Sequence, residues 1–104
     1  MTAMHPKLAS LLSLAAKAGK LRTGEETAEL LLRQGAAQLV IIAQDASANT
    51  QKKFINKCFY YKVPIRVTQS REILSKCVGK TNRTVYVVTD AGFSTKIVAL
   101  IDDG

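Results

Sequence analysis

The chain has 104 residues, of which 47% are hydrophobic, and a net charge of +7 from 15 Lys and Arg against 8 Asp and Glu. This length fits one domain over residues 1–104, with a core that needs neither disulfides nor a metal. The two cysteines, Cys58 and Cys77, have neither zinc-ligand spacing nor the CxxC spacing of redox proteins, and both are expected as buried thiols. The positive charge favours a polyanionic partner, with nucleic acid as the first candidate.

The first predicted helix begins at Pro6, which suits a first helical turn, and ends at Gly19. The next segment, residues 20–22, predicts a short extended piece. Its cations, Lys20 and Arg22, are expected beside the N-terminus of the helix that follows. The first helix is expected to contribute core side chains at helical spacing, namely Leu8, Leu11, Leu12, Ala15 and Ala16.

A second helix is predicted from Gly24 to Gly35. Thr23 and Glu26 have the spacing of a capping box, and Gly35 can adopt the left-handed conformation that ends a helix. The run 39–43 follows almost at once and has no polar alternation, so it predicts a central strand covered on both faces. The apolar positions of the second helix are Ala28, Leu30, Leu31 and Leu32.

A third helix is predicted over residues 48–61, with Asp45 and Ser47 as capping residues. Tyr60 and Tyr61 are expected to pack in the core or at its edge, so no exposed aromatic pair for base stacking is predicted. Three side chains are expected to face inward, Ile55, Cys58 and Phe59, and three cations to lie outside, Lys52, Lys53 and Lys57.

The remaining segments continue the alternation of strands and helices. Residues 63–67 predict a short strand, Ser70 caps a brief helix that Gly79 closes, and residues 84–89 predict a further strand before a last helix capped by Asp90. Such alternation places the chain in the α/β class. We expect a three-layer α/β/α sandwich with a small mixed four-stranded sheet.

An enzymatic function has little support in this sequence, and no catalytic residue is proposed. The one histidine, His5, lies in the N-terminal segment, and Asp45 and Asp90 each precede a helix, which favours capping over catalysis. Neither a G-x-G-x-x-G nor a P-loop motif occurs, and no cofactor or metal site is indicated. Residues 1–7 lack the apolar core of a signal peptide, so the cytoplasm is the expected compartment.

The segment GEETAELLLRQGAAQLVIIAQDAS, residues 24–47, resembles the ribosomal protein family of the L-seven-Ae and L-thirty-e type. The resemblance continues through YKVPI at 61–65 and LSKCVG at 74–79, and it covers the chain from about Leu8 to Leu100. Within this family the sequence resembles a bacterial branch, the YlxQ-like proteins. The resemblance implies a non-catalytic, monomeric protein that binds structured RNA, often a kink-turn, with ribosomal or other non-coding RNA and ribosomal proteins as partners.

Two segments are candidates for RNA contact. The N-terminus of the second helix offers unpaired N–H groups and a positive dipole, and its glycine allows close approach of an RNA backbone. The turn after Gly79, which in the family lies across from this helix, is polar or cationic through Arg83 and favours phosphate contacts. The candidate RNA-binding residues are Lys20, Arg22, Thr23, Gly24, Glu25, Glu26, Thr27, Lys52, Lys53, Gly79, Lys80, Thr81 and Asn82.

The sequence departs from the family where side chains reach purines in the kink. Archaeal members typically read Gly-x-Asn-Glu with a Lys three residues beyond. Here Glu26, Thr27 and Leu30 occupy the Asn, Glu and Lys places, so only Gly24 of that set is retained. The acidic pair Glu25 and Glu26 leaves an alternative open, a ribosome-associated protein-interaction factor that kept the fold without autonomous RNA recognition.

Overall fold

Helices and strands alternate along residues 4–103, the part of the chain that the computed structural model describes. The helices are α1 (Pro6–Lys17), α2 (Glu25–Arg33), α3 (Ala48–Tyr61), α4 (Arg71–Cys77) and α5 (Ala91–Asp103). The strands are β1 (Leu21–Thr23), β2 (Leu39–Ile42), β3 (Ile65–Val67) and β4 (Val85–Val88).

The four strands form one mixed sheet in the order β1-β4-β2-β3. β2 pairs parallel with β3 and antiparallel with β4, and β1 pairs antiparallel with β4. Every residue of β2 is buried, as expected for an apolar run without alternation. The predicted central strand is confirmed, and β1 and β3 are the edges of the sheet.

Helices cover both faces of the sheet and create two cores. On one face, α1, α4 and α5 pack against the sheet through side chains such as Leu12, Leu74 and Ile97. On the other face, α2 and α3 do so through Leu32 and Phe54. The structure therefore confirms the three-layer α/β/α sandwich.

Side-chain caps begin three of the helices at the predicted residues. Ser47 Oγ accepts a hydrogen bond from the Thr50 N–H at 3.1 Å, and Ser70 Oγ accepts one from Ile73 at 3.3 Å. Asp90 Oδ2 accepts from the Phe93 N–H at 2.9 Å. These predictions are confirmed, because a side-chain oxygen in each case satisfies an N–H that the helix leaves unpaired.

The predicted capping box at the start of α2 is wrong. Thr23 stays in β1, where it pairs with Tyr86, and Gly24 takes the N-cap position without any side-chain cap hydrogen bond. Asp45 also has a different role from the predicted one. Its Oδ1 accepts from the N–H of Arg71 at 2.8 Å, at the first residue of α4 rather than of α3.

The rotational phase of α3 differs from the prediction, whereas in α2 only Leu30 is misplaced, because Ala28 and Leu32 are buried and Leu31 packs against the core as predicted. The inward stripe of α3 contains Phe54 and Cys58, and that of α2 contains Ala28 and Leu32. Because residues four apart share a face, the neighbours of these stripes point outward. Four predicted core residues are therefore exposed: Leu30 at 44%, Ile55 at 46%, Phe59 at 86% and Tyr60 at 76%.

The two cysteines are free thiols, as the sequence indicated. Cys58 is buried, and burial raises the pKa of its thiol to about 11. Cys77 is half-buried rather than buried, and burial raises its pKa as well.

Candidate nucleic-acid interface

A groove with a volume of about 760 Å³ lies beside the edge strand β1. The C-terminal end of α1 forms one wall, and the end of α4 with the loop that follows it forms the other. Arg22 and Thr23 enter from β1, and Thr27 enters from the first turn of α2. We call this cavity the β1 groove. Its cationic lining residues are Lys17, Arg22, Lys76, Lys80 and Arg83.

The charged side chains that line the β1 groove, among the residues described, are all positive. All five cations are exposed, and none forms an ion pair within 4.0 Å with any residue in the range 4–103. No carboxylate from that range lines the groove. Unpaired cations that converge on one concavity produce a positive potential, which attracts polyanions such as a nucleic-acid backbone.

A buried hydrogen-bond network anchors the loop that carries two of these cations. Ser75 is 2% exposed, and its Oγ accepts from the N–H of Arg83 at 2.8 Å and lies 2.9 Å from Tyr86 Oη. The Tyr86 hydroxyl donates to the carbonyl of Arg83 at 2.6 Å, and its burial raises its pKa. The base of the loop is thus fixed to α4 and β4.

The tip of the same loop is tied to a second connection. Asn82, in a left-handed conformation with φ 54°, accepts from Arg71 Nη1 at 3.3 Å. Arg71 Nη2 in turn donates to the carbonyl of Asp45 at 2.7 Å. The loop after α4 is therefore held at Asn82 and Arg83, and on its other side the Lys80 N–H donates to the carbonyl of Ser75 at 2.9 Å.

Gly24 is the N-cap residue of α2. Its φ of 109° and ψ of 148° fall in a region that side chains strongly disfavour. Space is not the constraint, because a Cβ there would meet only Thr27 Oγ1, at 3.8 Å. Since no side chain of the described range 4–103 caps α2, the N–H groups of its first turn remain available to an anion.

A second charged surface lies between α2 and α3. Lys53 Nζ is 2.8 Å from Glu29 Oε2 and 3.3 Å from Glu25 Oε1, and Lys57 Nζ is 3.7 Å from Glu29 Oε1. Thr50 also donates to Glu25 at 3.4 Å. We call Glu25, Glu29, Lys53 and Lys57 the α2–α3 ion cluster. The hydrogen bond with Lys53 holds the pKa of Glu29 below its usual range and raises that of Lys53.

Comparison with known proteins decides the family. The model of the ribosomal protein L7Ae/L30e/S12e/Gadd45 family matches residues 6–98. The chain belongs to this family. Two proteins named RNA-binding protein YlxQ are similar to it, one from Bacillus subtilis at 45% identity and one from Enterococcus faecium at 41%. The alignments cover 88% and 92% of this chain and 92% of each relative, which confirms the resemblance stated from the sequence.

Solved structures agree with this membership. A protein of unknown function from Bacillus halodurans C has a TM-score of 0.91 at 45% identity, over 94% of this chain and 99% of that one. A 15.5kD RNA binding protein from Giardia lamblia, at 21% identity, has a TM-score of 0.75 over 96% and 95% and shows the shared fold. The prediction of a non-enzymatic protein is confirmed by the family, whose named relatives here are RNA-binding proteins.

The structure brings together only part of the predicted site. Arg22, Thr23, Thr27, Gly79 and Lys80 all line the β1 groove, and Gly24 lies between two of them. The first turn of α2 and the loop after Gly79 therefore face one cavity.

Other predicted residues lie elsewhere. Lys20 is at the far end of β1 from Gly24, where its carbonyl accepts from Thr89 at 2.8 Å, so its expected place beside α2 is wrong. Glu25 and Lys53 belong to the α2–α3 ion cluster, and Lys52 lines the depression beside it. Glu26, Thr81 and Asn82 are exposed, on α2 and at the loop tip.

The sequence analysis missed two cations of the β1 groove, Lys17 and Lys76. Each lies in the last turn of a helix, where a cation is favourable for the helix dipole alone. Only the packing of α1 beside α4 brings them to one cavity. A signal existed in their position, because Lys17 lies two residues before Gly19 and Lys76 three residues before Gly79, and both glycines line the groove.

Within residues 4–103 the structure holds no group of three or more His, Cys, Asp or Glu side chains placed to bind a metal. His5 caps α1, with its Nδ1 accepting from the Lys7 N–H at 3.0 Å. In the same range, every helix is too short or too polar to cross a bilayer. The N-terminal segment considered as a signal peptide lies partly outside the described residues.

Proposed function

We propose that this protein binds structured RNA in the β1 groove. The observation that carries the proposal is the convergence of five cations beside the glycine-opened helix α2, with no ion pair, lining carboxylate or side-chain cap from residues 4–103. Phosphates would contact the cations and the free N–H groups of α2, the two kinds of donor that proteins use to position nucleic acids. The RNA-binding names of the relatives support the same conclusion.

The RNA element proposed is a bent one such as a kink-turn, in ribosomal or another non-coding RNA of the cytoplasm. Gly24 and Gly79 belong to the two segments that face each other across the groove, and a sharply bent backbone would present phosphates to both. Few side chains there can read bases. Of the three residues at the family's purine-reading positions, only Thr27 lines the groove, whereas Glu26 and Leu30 do not. Positioning through phosphates is therefore expected to outweigh base readout.

The acidic pair Glu25 and Glu26, which left a protein-interaction role open, is partly neutralised by contacts within the protein. Glu25 pairs with Lys53 and accepts from Thr50, so much of its charge is offset within the protein. Only Glu26 remains as an unpaired carboxylate on the first turn of α2 among the described residues. Repulsion of phosphate by this pair is therefore weaker than the sequence suggested.

A salt titration with matched variants tests the proposal. Binding to a ribosomal RNA fragment that contains a kink-turn is measured for the native protein, for Arg22→Ala/Lys80→Ala and for Lys53→Ala/Lys57→Ala. Both double variants lose two positive charges. We expect the groove variant to reduce the slope of log affinity against log salt by about 1.8, since each phosphate contact contributes about 0.9. The ion-cluster variant should leave the slope unchanged. Equal effects, or no binding by the native protein at low salt, would contradict the proposal.

Specificity is tested by restoring the family's side chains. Glu26→Asn, Thr27→Glu and Leu30→Lys together should raise the preference for a kink-turn over a plain duplex, because purine-edge hydrogen bonds discriminate by about 1–3 kcal/mol each. The three positions are exposed or half-exposed, and Glu26 makes no cap hydrogen bond, so the fold should tolerate the changes. An equally strong preference in the native protein would show that other residues read the kink.

A further inference from the structure

The last turn of α3 presents two aromatic rings to solvent. Phe59 is 86% and Tyr60 76% exposed, although neighbouring Cys58 is buried. A groove of about 840 Å³ lies between this turn and the segment that leads into β3, and it is lined by both rings with Asn56, Lys62 and Pro64. Exposed aromatic side chains next to each other are uncommon in a soluble surface and indicate a binding role.

The surroundings of these rings are cationic. The α3 sequence, ANTQKKFINKCFYY, contains no Asp or Glu, and no carboxylate of residues 4–103 lines the groove. Lys62 is exposed at the C-cap, and Lys52 shares a helix face with Asn56 and Tyr60 at four-residue spacing. Lys52 forms no ion pair with any described residue, unlike Lys53 on the adjacent face.

The rings are also preorganised. The ring of Tyr60 meets that of Tyr61 edge to face, with centroids 4.9 Å apart and an interplanar angle of 89°. Tyr61 is itself packed against the core formed by α2, α3 and the sheet. A T-shaped contact leaves at least one flat face of Tyr60 uncovered by Tyr61, and a ring held in this way loses little entropy when a second flat group stacks on it.

The exposed rings and the neighbouring lysines together indicate which kind of partner binds this surface. Flat exposed rings in a groove that no carboxylate of residues 4–103 lines, flanked by lysines without an ion pair in that range, match the stacking platforms and backbone-tracking cations that bind single-stranded nucleic acid. A hydrophobic protein segment would use the rings but not the lysines. Charge complementarity therefore favours a polyanion with aromatic bases.

We propose that the end of α3 is a second RNA-contact surface, which takes unpaired nucleotides. Bases would stack on Phe59 and Tyr60, and phosphates would contact Lys52 and Lys62. The nucleotides would belong to the RNA that fills the β1 groove, so the second surface rests on the proposed function. Thr50, beside the start of α2, and Tyr60 are separated along α3 by about 15 Å at 1.5 Å per residue. An RNA that reaches both surfaces therefore carries a single-stranded extension beside its structured part.

The test uses the full-length protein and a fluorescein-labelled ten-nucleotide oligoadenylate RNA, with binding followed by fluorescence anisotropy. Phe59→Ala/Tyr60→Ala should weaken binding about tenfold or more, because stacked bases contribute strongly and independently of sequence. Phe59→Tyr and Tyr60→Phe, which keep a ring, should bind within about twofold of the native protein. Leu14→Ala, which removes an exposed apolar side chain from α1, is the matched control and should change nothing.

Separate arms distinguish this surface from the β1 groove. Arg22→Ala/Lys80→Ala should weaken kink-turn binding and keep oligoadenylate binding, and Phe59→Ala/Tyr60→Ala should weaken oligoadenylate binding and keep kink-turn binding. Lys52→Ala/Lys62→Ala should lower the salt slope for oligoadenylate by about 1.4, at about 0.7 per contact with a single strand.

Unchanged oligoadenylate binding after loss of both rings would overturn the second surface, and so would failure of the native protein to bind this probe at low salt. Loss of self-association in Phe59→Ala/Tyr60→Ala, without an effect on oligoadenylate, would assign the rings to a second copy of the chain and would also overturn it. Each of these results leaves kink-turn binding by the β1 groove standing, whereas failure of kink-turn binding alone refutes the proposed function.

Discussion

The β1 groove and the α2–α3 ion cluster both contain lysines within reach of solvent, yet they differ in how those lysines are paired. In the groove, five cations converge with no ion pair among the described residues. In the ion cluster, Lys53 and Lys57 are shared between Glu25 and Glu29 at 2.8 to 3.7 Å. Positive charge in the first surface is available to a ligand, and in the second it is largely offset within the protein.

The difference shows why a net charge of +7 indicates a class of partner but not its location. A lysine already held by carboxylates must exchange those contacts for phosphate contacts, so it gains little from RNA. A lysine surrounded by other cations is relieved of repulsion when phosphate arrives. The pairing state of each cation, rather than the number of cations on a helix, distinguishes the two surfaces.

Charge reversal should separate the two surfaces most strongly. Arg22→Glu/Lys80→Glu should weaken binding to structured RNA about 100-fold or more at low salt, because it replaces two phosphate contacts by repulsion. Its stability should change by no more than about 0.5 kcal/mol, since both side chains are exposed. Lys53→Glu/Lys57→Glu should instead lower the free energy of unfolding by about 1 kcal/mol, because it places four carboxylates together. Binding isotherms and urea denaturation of both variants check this. Equal loss of RNA affinity would contradict the distinction.

Removing the anchor of the groove loop should have the next largest effect. Ser75→Ala leaves the N–H of Arg83 without its partner at a partly buried site, which should cost about 1 kcal/mol of stability. RNA affinity should also fall, because the loop that carries Lys80 and Arg83 then loses this side-chain anchor and is held by Tyr86, Arg71 and the backbone N–H of Lys80. Ser94→Ala is the matched control, since Ser94 is also buried but donates to the carbonyl of Gln38 at 3.1 Å, remote from the loop. If both variants bind RNA equally well, the loop anchor does not contribute to the site.

Freeing the paired lysines should produce a smaller change of opposite sign. Glu25→Gln/Glu29→Gln keeps the shape of both side chains and removes the charges that hold Lys53 and Lys57. RNA affinity should rise several-fold, and the salt slope should steepen by up to about 1.8 as two more cations become available. Titrations at several salt concentrations measure both quantities. An unchanged slope would mean that pairing is not what keeps these lysines from RNA.

Acidification should reveal the ion cluster through a small stability change. Lys53 holds the pKa of Glu29 below its usual range, so the pair stabilises the fold above the pKa of an unfolded Glu, about 4.3. This contribution is lost as pH falls through the lower folded pKa. Between pH 5 and pH 3 the native protein should therefore lose more stability than Glu29→Gln. The difference should be less than about 1 kcal/mol, since both side chains are partly exposed. Parallel loss in both proteins would contradict the assignment.

Elements with strong local signals could be predicted from the sequence. The apolar run of β2 and the caps Ser47, Ser70 and Asp90 act through nearest neighbours, and all are in place. The phase of α3 could not be predicted as well, because its apolar residues occur on both sides of the helix. The sheet packs against the side of α3 that contains Phe54, so Phe54 is buried and Phe59 is exposed.

The candidate site shows the same limit. Arg22 and Lys80 were predicted from their neighbouring glycines, and they meet at one groove. Lys17 and Lys76 were missed because each looks like an ordinary cation at the end of a helix, and only the packing of α1 beside α4 joins them. Lys20 was misplaced because β1, although short, separates it from the start of α2.

We propose that RNA occupies the β1 groove and not the α2–α3 ion cluster. It is tested most directly by following backbone amide signals in NMR spectra of the native protein during titration with a kink-turn RNA. We expect the largest shifts in β1, in the first turn of α2 and in residues 76–83. Largest shifts around Lys53 and Lys57, with the β1 groove unperturbed, would contradict it.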